Sequence, residues 1–459
     1  MPNEKTALKR ELGLAAATAI VIGNMIGSGI FMSPQSLAAA SNPKASILAW
    51  VITAIGSVLL ALSFAKLGGA MPQTGGPIVY TRAAFGDFAA FLIAWTYWIG
   101  AWVGNAAIIT GFMSYLTYFF PFFSTNRLLA FLVSSLILWI FTFINVKGVK
   151  EAGIVGIVTT TLKIVPLVVF VILAAMHFDS SHMSTVSSPD VAGWGTVPAA
   201  IAIALWAFVG LESATVPAGE VKDPERVIKQ STIYGTIATA VIYILVSVLA
   251  MGVMDQAALA KSSAPLADII NYATGGTWGG TFIALGAVIS TLGATSGWIL
   301  TTARSGFAGG EEKLFPAIFA KVHPKYKTPH ISLIISGVAA NILLIMNYVS
   351  SLTTAFTFML LLATLAFLPA YAFSAAAEIV LLTKQSKDFN LWNFLKNSFI
   401  ALLAFAYSIY AIYGTGAEVV MYGFILMLIG IPFYVYMQFQ NNKQDKTIDN
   451  IRSTAGLNK

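Results

Sequence analysis

Ile22-Gly23-Asn24-Met25-Ile26-Gly27-Ser28-Gly29-Ile30-Phe31 sits inside an apolar run long enough to cross a bilayer, yet glycines and the polar Asn24 and Ser28 interrupt it. Each interior Gly costs a helix about 1 kcal/mol relative to Ala, so three together invite the backbone to unwind. In hydrocarbon, unwound backbone is tolerated only where it is buried in protein or lines a cavity. The stretch therefore reads as a binding-site candidate. The alternative is that Gly23 and Gly27, four residues apart, form a small-residue surface for helix packing.

The rest of the chain supplies the context for such a break. Its 459 residues are 57% hydrophobic and 10% charged, with a mean hydropathy of +0.80. Soluble domains carry about 25% charged residues. Repeated apolar runs of span length mark an all-α integral membrane protein, whereas a transmembrane barrel would show short alternating segments. Twelve transmembrane helices are expected, over 12–40, 45–70, 85–119, 127–146, 152–176, 195–218, 231–254, 276–304, 330–348, 353–381, 397–414 and 417–438. Met1 to Glu11 is polar and runs into the first span without the pattern of a cleavable signal or transit peptide. The tail from Gln440 to Lys459 is polar and expected to fray. No cysteine is present, which excludes disulfides, thiolate metal sites and a cysteine nucleophile.

The net charge of +7 does not point to nucleic acid, because the charges lie between spans. Of the 26 Lys and Arg, only Lys44, Arg127 and Lys261 fall in the loops of one side, and Lys163 lies within a span. The others belong to the termini and the alternate loops, which places both termini in the cytoplasm of a multi-pass plasma-membrane protein. The basic loop Glu311 to His330 contains an amphipathic piece, Leu314 to Val322, expected at the cytoplasmic interface.

Span six is interrupted as well. It reads Ala204-Leu205-Trp206-Ala207-Phe208-Val209-Gly210-Leu211-Glu212-Ser213-Ala214-Thr215-Val216-Pro217. Broken helices at matching places in two halves are the best sequence pointer to a transporter's central site. Freed amides opening the second half of span one suit a carboxylate, and freed carbonyls ending the first half of span six suit an ammonium. An α-amino acid carries both.

Four motifs carry a family resemblance: GNMIGSGIF in span one, GGPIVYTRAAFG after span two, YWIGAWVGNAA in span three and LWAFVGLESATVPAGEVKDPER in span six. With them the chain resembles the amino acid–polyamine–organocation transporters over nearly its whole length. Closest in kind are the basic amino-acid/polyamine antiporters that exchange arginine for agmatine, lysine for cadaverine or putrescine for ornithine. The resemblance implies a LeuT-like five-plus-five inverted repeat with broken helices 1 and 6. It divides the chain into a cytoplasmic segment 1–11, a ten-helix core 12–381, two added helices over 397–438 and a cytoplasmic tail 439–459. It further implies sodium-independent exchange, an amino-acid or amine substrate, no cofactor or metal, and a homodimer in several members.

The same resemblance implies a substrate site of Asn24, Ile26, Gly27, Ser28, Gly29, Ala101, Asn105, Ile108, Trp206, Phe208, Gly210, Glu212 and Trp298. Trp206 and Trp298 align with aromatics that line and gate the antiporter site, and Tyr97 is expected to close its outer side. Glu212 is the one carboxylate placed near mid-membrane, since Asp87, Glu378 and Glu418 fall near span ends. A charge at that depth costs about 2.5–3.5 kcal/mol on insertion scales and is functional by default. In the similar antiporters the matching Glu senses protons; otherwise it would be a neutral, hydrogen-bonded structural group.

Lys163 either snorkels to the headgroups or points at the unwound part of span one. In the L-amino-acid and cationic amino-acid branches, a span-five Lys takes the place where sodium sits in sodium-coupled relatives. Ala101 and Ile108 stand where the arginine exchanger has a Cys and a Met that touch substrate, and Leu362 and Ala370 where it has a Ser and a Tyr. The pocket would thus be more apolar, leaving room for smaller or neutral amino acids.

Enzyme chemistry has little footing, for the four histidines lie in loops or at span ends and no phosphate loop or nucleophile–base set is present. A channel would need a lined pore. The expectation is a secondary transporter exchanging amino acids or amines by alternating access, with possible proton coupling. A neutral amino-acid transporter is the alternative, and a non-transporting membrane sensor the remote one.

Overall fold

In the computed structural model, the apolar runs form helices, some of them started by asparagine caps. The structure describes residues 12–73, 75–148, 152–184, 186, 188–216, 218, 221–385 and 390–454, with the side chains of 152–159, 385 and 444–454 not among them. The segment 1–11, Pro217 and the last residues of the tail lie outside the described residues.

The helices in chain order are α1 Leu14–Met25, α2 Ser28–Ala40, α3 Pro43–Ala70, α4 Pro77–Phe85, α5 Asp87–Phe119, α6 Phe122–Thr125 and α7 Arg127–Lys147. There follow α8 Ala152–Met176, α9 Val197–Phe208, α10 Pro224–Val253, α11 Gln256–Leu259, α12 Pro265–Thr274 and α13 Trp278–Glu311. The chain closes with α14 His330–Leu343, α15 Met346–Val349, α16 Leu352–Gln385, α17 Leu391–Gly414 and α18 Ala417–Thr454. Asn42 starts α3 by accepting from the Ala45 N–H, with Pro43 in the first turn. Asn126 and Asn390 start α7 and α17 in the same way.

Among the described residues the architecture is all-helical, with one isolated bridge between Leu12 and Val221. Ten helical stretches are long and apolar enough to cross a membrane, Leu14–Ala40 being one of them, and two shorter apolar helices cover Thr160–Met176 and Trp194–Phe208. α5 is the most enclosed of the ten and α18 the least. α5 runs between α13 and α16, α3 packs on α10, α1 on α8 and α10, α2 on α9, and α18 lies outside α16 and α5.

Two expectations need correction, and a third gains its exact form. Span six is interrupted where Gly210 and Glu212 placed the break: α9 stops at Phe208, and Val209 to Val216 form a series of turns. The tail is helical beyond Gln440, since α18 extends to Thr454; no Gly or Pro stands in that stretch to stop it. Leu314 to Val322 is not an amphipathic helix on the interface. Its turns push Phe315 and Phe319 inward, where both pack edge-on against Trp98.

Candidate functional site

The first break is two residues wide. α1 ends at Met25, Ile26 is extended, and the helix resumes at Ser28. Unwinding strands the last carbonyls of α1 in a buried place, where unpaired polar groups are costly. Three side chains from three helices meet them. Lys163 of α8 donates from Nζ to the Gly23 carbonyl at 2.7 Å, the Trp298 indole of α13 donates to Asn24 O at 3.0 Å, and the Tyr243 hydroxyl of α10 donates to Met25 O at 2.6 Å. Lys163 is buried rather than reaching outward. The packing reading of the glycines also holds, since a Cβ on Gly23 would lie 2.7 Å from Thr160 Oγ1 and one on Gly27 3.2 Å from Ala294 Cβ.

Beyond the break, the N-terminus of α2 has no side-chain cap. The buried Ser28 hydroxyl has no hydrogen-bond partner. Positive dipole charge and free donors therefore gather at one point.

The second break follows α9. Gly210 has φ +108°, a left-handed value that disfavours any side chain. The chain then runs on in three-residue hydrogen-bonded turns, Ser213 N–H to Gly210 O and Thr215 N–H to Glu212 O. These turns carry Glu212 into full burial. Its carboxylate accepts from the Tyr97 hydroxyl at 2.8 Å, the Tyr371 hydroxyl at 2.8 Å and the Gly210 N–H at 3.2 Å. One side chain joins the two breaks directly: Asn24 Nδ2 donates to Ser213 Oγ at 2.9 Å.

Between the breaks lies a hollow of about 10 Å³ whose walls include Asn24, Gly27, Ser28, Gly29, Ile108, Trp206 and Trp298. That volume is near the least that admits one water. The tryptophans account for the tightness. Trp206 approaches Gly104 so closely that a Cβ there would come within 2.9 Å of its ring. Trp298 stands edge-on to Phe367, which in turn packs edge-on to Tyr97.

Not every expected residue reaches this hollow. Ile26 and Ala101 are fully buried without bordering it. Phe208 turns away to pack on Trp50 and Tyr243. Asn105 stands one shell back, donating to Thr302 Oγ1 at 2.9 Å, and Thr302 donates to the Trp298 carbonyl. Glu212 and Tyr97 sit beside the hollow, and Tyr97 lies about three turns from the Asp87 end of α5. That is the end where Arg82 pairs with Asp87 and Glu312. Glu378, near a span end as expected, is buried beside Lys66 and Ser63.

Leu362 faces a separate apolar cavity rather than the hollow, so it carries no argument about substrate size. Tyr243 and Tyr371 escaped the sequence reading. Both lie within apolar spans, and one-dimensional pattern does not say that a phenol will meet a carbonyl or a carboxylate from a helix distant in the chain.

The sequence profile of the amino acid permease family matches residues 12–439. An arginine/ornithine antiporter of Pseudomonas aeruginosa is 33% identical over 433 residues, 92% of this chain and 89% of the relative. An arginine/agmatine antiporter of Chlamydia pneumoniae is 32% identical, covering 94% of this chain and 91% of the relative. A putative arginine/ornithine antiporter of Bacillus subtilis is 33% identical, with 95% and 99% covered.

Proposed function

The chain belongs to the amino acid permease family, and we propose that it is a secondary transporter exchanging a cationic amino acid for another amino acid or amine by alternating access. The observation that carries this reading is the juxtaposition of two opposed breaks, tied by Asn24 and Ser213, around a small hollow. The activities of the antiporter relatives favour arginine-like substrates.

The uncapped N-terminus of α2, with Gly27, Ser28 and Gly29, binds the substrate carboxylate. The carbonyl end of α9 receives the α-ammonium. The faces of Trp206 and Trp298, with Ile108, cover the side chain, and a cationic head gains from the rings. Because the hollow is water-sized, substrate enters only when Trp206 leaves its position over Gly104. Tyr97, with Tyr371 and Glu212, closes the site on the side of the basic loops, not on the outer side first expected of it.

Lys163 places its amino group at the end of α1, on the Gly23 carbonyl, so that exchange needs no sodium. Glu212 is the proton-responsive group. Twelve spans, a five-plus-five inverted repeat over 12–381 with two added helices over 397–438, cytoplasmic termini and a homodimer complete the proposal.

The test is counterflow in liposomes holding the purified full chain. Labelled arginine should accumulate only when substrate is preloaded inside. Competition by arginine, lysine, ornithine, putrescine and alanine then ranks the side chains, and alanine as the strongest competitor would replace the cationic reading with a neutral one. Uptake into empty vesicles equal to that into preloaded ones would defeat exchange.

A further inference from the structure

The wall that carries Tyr97 and Tyr371 has a second face. Behind it, bounded by α5, α16, α17 and α18, is a cavity of about 160 Å³ with Thr96, Leu362, Ala366, Pro369, Val420 and Gly423 among its walls. Thr96 is the polar member, and its hydroxyl already donates to Leu92 O at 3.0 Å. Water needs two to four polar partners, whereas an aliphatic cavity of about 150 Å³ stays dry and accepts small apolar guests. Lining and size therefore select hydrocarbon.

The position names its source. α18 forms one wall, and its Phe424 both lines the cavity and is 54% exposed on a membrane-length apolar helix. We propose that this cavity takes the acyl chain of a bilayer phospholipid.

Occupancy bears on the site because the partition is one residue thick. Thr96 faces the cavity while Tyr97 meets Glu212. Ala366 and Pro369 face the cavity, while Phe367 packs on Trp298 and Tyr371 meets Glu212. Pro369 also removes a hydrogen bond from the middle of α16, leaving that stretch easier to bend. A bound chain braces the partition from behind. This inference stands without any assignment of the transported substrate.

The test uses the full chain in phosphatidylethanolamine/phosphatidylglycerol vesicles containing a phospholipid with a photoreactive diazirine on its acyl chain. After illumination, peptide mapping should find label on Leu362, Leu365, Val420 or Met427. Val420→Phe, which fills the cavity, should lose most of that label, whereas Ile429→Phe, on the exposed part of the same helix, should keep it. Delipidated protein should gain thermal stability when phospholipid returns, and Val420→Phe should gain less. If Val420→Phe does not assemble, Ile412→Phe closes the cavity from α17 and is read identically. Label confined to Met421, Ile425 and Ile429 in all variants, label from a diazirine fatty acid but not from the phospholipid, or cross-linking only to a second copy of the chain would each overturn the proposal.

Discussion

The two breaks solve the same physical problem in opposite ways. At the first, backbone is unwound over two residues, and the carbonyls it strands are met by Lys163, Trp298 and Tyr243 from three separate helices. At the second, the helix never resumes before Val216, and the chain supplies its own short hydrogen bonds while delivering Glu212 to two tyrosines. The first break is a junction clamped by its neighbours. The second is a local conformation set by one glycine and held by one carboxylate. The lesson is that the first should fail through lost tertiary partners and the second through changes in its own residues.

The comparison is most severely tested at Gly210. Any side chain there meets an unfavourable φ and comes within 3.2 Å of Asn24 backbone. Gly210→Val should abolish exchange while the protein still reaches the membrane, measured as counterflow against surface-normalised expression. Near-normal counterflow would show that the second break is not set by this residue.

Next is Lys163→Ala. It leaves the buried Gly23 carbonyl without its donor, a loss of about 1–3 kcal/mol. Expected are a lowered melting temperature and exchange reduced by roughly tenfold, about 1.4 kcal/mol in affinity terms. Unchanged transport with no response to sodium would remove the clamp from the account of the first break.

Glu212→Gln keeps the size but exchanges one acceptor oxygen for a donor, so one tyrosine hydroxyl must change from donating to accepting. Substrate binding should partly survive while the dependence of exchange on pH disappears, read from initial rates across a pH series. A profile matching the parent would reduce Glu212 to a structural brace.

The smallest effect belongs to Tyr243→Phe. It removes a single phenol donor from Met25 O and leaves the ring packing on Trp50 and Phe208 in place. A loss of about 0.5–1.5 kcal/mol is expected, seen as a modest drop in melting temperature. A larger loss than that from Lys163→Ala would invert the ranking of these two donors.

Much of this is legible in the sequence. Gly23, Gly27 and Gly29 inside one apolar run foretold unwinding near Ile26, and Gly210 with Glu212 foretold the second interruption. The exact form of the second did not follow, because a stretch such as Val209 to Val216 has no strong periodic signature for turns as against helix. Leu314 to Val322 misled for a related reason: its aromatics repeat as they would on a surface helix, but Trp98 offers them a buried partner instead.

Apolar run length, glycine clusters and the placement of Lys and Arg are properties of local chain chemistry and of solvent, so the sequence alone determined a helical membrane protein interrupted at two places. Which donor meets Gly23 O, why Phe208 leaves the hollow, and that Tyr371 rather than a neighbour reaches Glu212 were decided only by helix packing. Such pairings join residues far apart in the chain, and a shift of one position along a helix turns a side chain through about 100°. No one-dimensional pattern carries that rotation.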